Sequence, residues 1–448
     1  MRAPILLIAM SGVRVRDPEL LALGLTLPGF VERSRVIASL PSLGLLTLAA
    51  HTPEEYEVEY VEWDDLPLDP VTWILERNVG VVAFSCLTAR ITECYRICDL
   101  LKNSGVITVL GGLHVSACPE EALQHAHTVV QGEGELVWST LVEDWSKGNL
   151  QRCYTSFEGG KPSAMKWQPR VPRYDLLDMN RYNRITVQST RGCPLDCEFC
   201  GASRTISRFR KKRVEHLRNE LQAITRIWRR PFIELADDNT FIDKQWSEQL
   251  CDVLEEFDLR WFTETDLSIA EHPALLRRIA RSGCRQLLIG LESADQMNLQ
   301  NMDRMNWKHG WFHQAQEAVR VIQDHGITVN ACFILGLDGD SLESFARTLE
   351  WIDRLESCEV QITLQTAFPG TGLYRRLESE GRLDPYPFWD RCTLFDLTHE
   401  PRGMSREALA SGFRELMGAV YSEERVALRR KRARSCRQSA ALDSLDER

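Results

Sequence analysis

At 448 residues the chain is too long for one simple core, and roughly 150 residues per domain gives about three domains. Its 44% hydrophobic and 26% charged residues are globular values, which excludes a disordered or fibrous chain. The net charge of −10 argues against a broad nucleic-acid-binding face.

No apolar run approaches the ~18 residues needed to cross a bilayer, so no transmembrane segment is expected. The opening Met1-Arg2-Ala3 and the apolar residues 4–10 mimic a signal peptide. The apolar stretch is short and no small-residue cleavage site follows, so a first buried strand is expected instead. Fourteen cysteines are far too few for a disulfide scaffold. Without an export signal they point to reduced thiols in a cytoplasmic protein.

Residues 1–150 alternate strand and helix. Strands are expected at 5–10, 56–63, 79–87, 106–110 and 128–131, and helices at 43–50 and 90–102; residues 11–39 show no clear period. Continuous apolar strands separated by helices indicate a doubly wound, Rossmann-like parallel sheet covered on both faces. Residues 151–180, with Pro162, Pro169 and Pro172, read as a connector. From 181 to 379 six βα units follow, with strands at 185–189, 232–236, 261–266, 286–290, 329–335 and 360–366. Eight units close a barrel, so six give a partial (β/α)6 barrel. Residues 380–448 hold a small helical extension and, from Arg425, a basic tail expected to fray. The fold class is therefore α/β throughout.

The most informative stretch follows the first barrel strand: Ser189-Thr190-Arg191-Gly192-Cys193-Pro194-Leu195-Asp196-Cys197-Glu198-Phe199-Cys200. Three cysteines at C-x3-C-x2-C spacing can wrap one soft metal centre. A zinc site would need a fourth ligand from a second pair, and none appears downstream. A [4Fe–4S] cluster takes four thiolates, so three leave one iron open to another ligand.

The triplet, with an aromatic residue before its last cysteine, resembles the signature of radical S-adenosylmethionine (radical SAM) enzymes. The resemblance implies that Cys193, Cys197 and Cys200 hold a [4Fe–4S] cluster and that S-adenosyl-L-methionine chelates its open iron. Reductive cleavage then yields a 5′-deoxyadenosyl radical. It implies further that Phe199 lies against the adenine and that Asp237 and Asp238, at the end of the second barrel strand, grip the amino group. Glu292 and Ser293, after the fourth, would face the ribose. Gly336, after the fifth, would let the backbone approach the adenine. Against each stands a plainer role as turn, cap or strand-end residue.

Residues 1–150 resemble the cobalamin-binding domain joined to one subgroup of that family. The resemblance rests on Ser85-Cys86-Leu87 at one strand end and Gly111-Gly112 at the next, and implies cobalamin contacts at Ser85, Leu87, Gly111 and Gly112. Residues 40–45 and 131–135 also look like segments of that subgroup. The D-x-H-x-x-G element that would supply a cobalt-ligating histidine is missing, since no histidine occurs before residue 51. Residues 261–269 carry a T-E-x-x-[LI] variant of the third barrel strand. His114, Cys94 and Cys98 are read as structural. The basic run Arg204–Arg213 and Trp261, Trp307 and Trp311 are read first as fold residues, second as a docking face and a substrate pocket.

The function expected is cobalamin-dependent radical SAM methylation of an unactivated carbon in a small-molecule or lipid-like metabolite. Oxidation, cyclisation or rearrangement by the same machinery is the alternative. A small-molecule substrate and an electron donor such as flavodoxin or ferredoxin are the expected partners, with no nucleic acid. Both cofactors are expected to face one cavity, closed by segment 11–39 or 380–425.

Overall fold

A computed structural model describes residues 2–12, 15–24, 40–164 and 170–446. Most of segment 11–39, proposed above as a closing element, lies outside the described residues.

The amino-terminal sheet comprises β1 (Ile5–Met10), β2 (Val58–Glu62), β3 (Val81–Cys86), β4 (Ile107–Gly111), β5 (Thr128–Gln131) and β6 (Cys153–Thr155). All are parallel, in the order β2-β1-β3-β4-β5-β6. Every residue of β1 is buried, because helices cover both faces and leave no side for polar residues. β6 falls inside the expected connector, so the sheet extends past residue 150. A two-stranded hairpin, β7 (Phe157–Glu158) and β8 (Lys161–Pro162), follows.

The second sheet is also six-stranded and parallel. Its strands are β9 (Ile185–Val187), β12 (Phe232–Leu235), β13 (Arg260–Thr265), β14 (Cys284–Glu292), β15 (Thr328–Leu335) and β16 (Glu359–Leu364), ordered as in the chain. Between the first two, a short antiparallel pair, β10 (Thr190–Arg191) and β11 (Arg210–Lys211), frames the cysteine loop. Helix Val214–Ile227 buries Leu217, Leu221 and Ile224 on one face, each contributing roughly 1.5–3 kcal/mol. Helix Lys244–Glu256 starts where the Asp243 carboxylate accepts the Trp246 N–H at 3.0 Å.

The carboxy-terminal extension packs on the same core. Helix Arg406–Val420 sets Leu409, Phe413, Leu416 and Met417 into it. The basic tail does not fray where expected. Residues Glu423–Asp446 are helical, and Val426, Arg429, Ala433 and Cys436 are buried on one face. That stripe is hard to see in a sequence dominated by arginine, because an apolar face is normally recognised by hydrophobic residues alone. No helix among the described residues is long and apolar enough to cross a membrane.

Candidate active site

The carboxyl ends of β3 and β4 meet those of β9 and β12 around one cavity, which Arg191 lines but Cys193, Cys197 and Cys200 do not. This cavity of about 300 Å³ is walled by Ser85, Gly111 and Gly112 from the first sheet and by Gln188, Arg191 and Ala236 from the second. Parallel strands present their carboxyl ends together, and ligands collect there. Gly112 has φ 105° and ψ −173°, a conformation essentially reserved for glycine. A Cβ there would meet Ser85 Oγ at 3.4 Å. This cradle of small residues fits the slender tail of a corrinoid. Leu87 lies one residue past β3 and is exposed, outside the wall of this cavity. Among the described residues the cavity has no histidine in its wall. His114 lies instead against Trp389 of the extension, with Nε2 3.5 Å from Glu121.

The cysteine loop opens at Gly192, whose φ is +76° and whose missing side chain admits the Arg208 carbonyl. Cys197 is buried, Cys193 and Cys200 partly so. Among the described residues, only His114, Cys118 and Glu121 bring three ligand atoms mutually within 4.8 Å. The triplet is carried on the single loop that β10 and β11 frame, as a cluster held by three neighbouring thiolates requires. Burial pushes the Cys193 thiol up to about 11 and Cys197 to about 12, so metal loading must displace protons.

Asp237 is fully buried and serves the loop rather than a ligand. Its carboxylate accepts the Ser189 and Thr190 N–H groups at 2.7 and 2.9 Å, the Ser189 hydroxyl, and the Thr240 hydroxyl at 3.0 Å. This corrects the cofactor contact expected of it. Asp238 remains at the loop, accepting the Arg204 N–H at 3.1 Å. Ser293 is likewise a turn residue, its hydroxyl accepting the Asp295 N–H at 3.0 Å. Phe199 packs with Leu299, Met302 and Leu337, which brings it beside the turn at Gly336. Gly336 has φ +87°, and Leu409 of the extension stands 3.0 Å from where its Cβ would be.

Glu292 is placed by an irregularity. The β14–β15 register shifts between Gly290 and Glu292, and Glu292 takes φ +67°. Such a bulge re-aims a side chain. Its carboxylate meets Lys308 Nζ at 2.8 Å, and the same amine donates to the Gly290 carbonyl at 2.8 Å. A side chain at Gly290 would collide with the carboxylate. Lys308 was not legible, since nothing local to it points to Glu292. The ion pair outweighs burial and raises the Lys308 pKa.

Glu264 lies on β13, on the less buried side of an alternating strand. The dense protein around it, then the charges of Glu234, Asp238 and Glu292, push it up to about 8. Glu234 is itself paired with Arg184 and Glu292 with Lys308, which leaves Asp238 as the acid at the loop best placed for a cationic ligand such as S-adenosylmethionine. Trp261 is core, fully buried with Nε1 donating to the Ser282 carbonyl at 2.8 Å, whereas Trp307 and Trp311 line a small recess beside Lys308. The basic run is engaged within the fold: Arg204 with Asp196, Lys211 with Asp243 and Lys212 with Glu220.

Comparison with known proteins agrees with this geometry. Residues 187–352 match the radical SAM superfamily, residues 35–142 the B12 binding domain, and residues 371–442 a domain of unknown function, DUF4070. The chain is a radical SAM enzyme with an amino-terminal B12-binding domain, and the cofactors of these two domains are a [4Fe–4S] cluster, S-adenosylmethionine and cobalamin. It is 25% identical over 387 residues to the bacteriochlorophyllide d C-12(1)-methyltransferase of Chlorobaculum tepidum, covering 85% of this chain and 82% of that one. It is 27% identical over 360 residues to the hopanoid C-2 methylase of Rhodopseudomonas palustris, covering 78% and 66%. An anaerobic magnesium-protoporphyrin IX monomethyl ester cyclase of Rubrivivax gelatinosus is 24% identical over 326 residues, covering 66% and 58%. The fold resembles that of the radical SAM methyltransferase TsrM from Kitasatospora setae, solved with cobalamin and a [4Fe–4S] cluster. The TM-score is 0.66 at 16% identity, covering 98% of this chain and all of that one. It also resembles the cobalamin-dependent radical enzyme OxsB, with TM-score 0.61 at 17% identity; the chain spans 56% of OxsB.

Proposed function

We propose that the protein transfers a methyl group to an unactivated carbon of a small-molecule or lipid-like metabolite. The single observation behind this is the shared cavity, where the glycine cradle of the first sheet and Arg191, at the base of the cysteine loop, form one wall. When bound, the cluster with S-adenosylmethionine supplies hydrogen-atom abstraction, and cobalamin supplies a transferable methyl group. The chain's own residues bind and orient. Cys193, Cys197 and Cys200 are the cluster ligands, the Asp238 carboxylate at the loop faces the cationic cosubstrate, and Lys308 keeps Glu292 in place. A site between two domains is suited to keep a reactive intermediate from water once substrate fills it. No proton-shuttling pair is needed, because the cofactors carry the hard step. The methylase relatives support transfer over the alternative, and the cyclase relative keeps oxidation or cyclisation as the second reading. The electron donor is a flavodoxin- or ferredoxin-like protein, no nucleic acid takes part, and the reduced cysteines suit the cytoplasm.

The test is anaerobic turnover with methyl-deuterated S-adenosylmethionine, a reductant, cobalamin and a panel of polycyclic lipids and tetrapyrroles. The expected product gains one labelled methyl on carbon. Loss of hydrogen or isomerisation without labelled methyl would replace this reading with the second.

A further inference from the structure

The cysteine loop leaves the barrel at Arg191 and returns at Arg210, and these two residues face each other across the β10–β11 pair. Both guanidinium groups are held by one carboxylate from the other domain. Glu133 Oε1 accepts from Arg191 Nη1 at 2.8 Å, and Glu133 Oε2 accepts from Arg210 Nη2. Glu135 takes the same Arg191 nitrogen at 2.5 Å. Two acids balance two bases, and the Glu133 side chain is only 1% exposed. Charge-assisted contacts of this kind are strong and directional. Removing one partner leaves a buried charge uncompensated.

The glutamate side is itself fixed. The Glu133 N–H donates to Ser156 Oγ at 2.6 Å, and the Gly132 N–H donates to Ser116 Oγ at 2.8 Å. Gly132 has φ +85°, and a Cβ there would stand 2.3 Å from Ser156 Oγ. On the barrel side, Arg191 Nε donates to Gln188 Oε1 at 2.9 Å. Glu133, Glu135 and Arg191 also line the glycine cavity. A ligand in that cavity therefore meets the groups that hold the base of the loop, two residues before Cys193.

We propose that Glu133 and Glu135 are positioning residues that, through Arg191 and Arg210, couple occupancy of the glycine cavity to the setting of the cysteine loop. The proposal rests on the reading that the cavity takes cobalamin and the triplet a cluster. Coupling between two binding sites is reciprocal, so it can be read at either one without the substrate.

The experiment measures hydroxocobalamin affinity by anaerobic equilibrium dialysis, on the full chain with and without its reconstituted cluster. The wild type is expected to bind about tenfold more tightly when cluster-loaded, a typical coupling. The Glu133→Gln/Glu135→Gln variant is expected to bring that ratio near one when compared with the wild type at equal iron content. A general loss of structure would instead abolish iron and hydroxocobalamin uptake together. Should the double variant not fold, the single variant Glu135→Gln, which keeps Glu133 on both arginines, is expected to give an intermediate ratio. A wild-type ratio of one, or a variant ratio equal to the wild type's, overturns the proposal. Failure of the wild type to take up iron or hydroxocobalamin at all overturns the underlying reading and the coupling with it.

Discussion

Glu264 shows how a single residue reports the character of the site. It has no ion pair among the described residues and is ringed by other carboxylates. With its folded pKa raised from 4.5 to about 8, the folded chain holds a proton that the unfolded chain lacks across that window. Its contribution to stability is therefore complete below pH 4.5 and is lost as pH rises toward 8. Glu264→Gln removes this titration, so the variant should gain in Tm relative to the wild type between pH 5 and pH 8.5, measured by thermal unfolding of the reconstituted protein. A difference that stays constant with pH would mean the carboxyl is not confined as described. The cysteine triplet was legible because its spacing is local. Asp237 was legible as a strand-end residue but not in its role, since the partners that claim it lie 47 and 48 positions away. Lys308 and the Glu133–Arg191 pair escaped for the same reason, because ion pairs across distant segments leave no local pattern.

At the scale of elements, the carboxyl ends of strands do most of the positioning. Ser85, Gly111 and Gly112 could be found because small residues after apolar strands mark such ends. β6 was missed as a short edge strand set in a stretch that reads as linker, and the tail helix because its buried face includes Arg429. Gly112 offers the sharpest test at this scale. Gly112→Ala forces a side chain into a glycine-only conformation, which should cost about 1–3 kcal/mol of stability, and places a methyl group toward Ser85 in the cavity. Lower Tm together with reduced hydroxocobalamin uptake by dialysis is expected. A variant with wild-type stability and uptake would remove Gly112 from the site.

Across the whole molecule, two parallel sheets of different design turn the same ends toward one cavity, and the extension braces the second. Asp396 accepts the N–H groups of Arg16 and Asp17 at 2.9 and 2.7 Å, and Leu409 reaches Gly336 beside the cysteine loop. That arrangement follows from βα alternation in both halves, which is why the architecture could be read from the sequence while its seams could not. The central claim is that the cluster and cobalamin meet across this cavity. The most direct measurement is electron paramagnetic resonance of the fully loaded protein, reduced so that the cluster and the cobalt are both paramagnetic. The account predicts a cob(II)alamin signal broadened or split by the nearby cluster spin, and restored to its isolated form when Cys193, Cys197 and Cys200 are replaced by Ala. An unperturbed cobalt signal in the wild type, with both centres present in full, would contradict it.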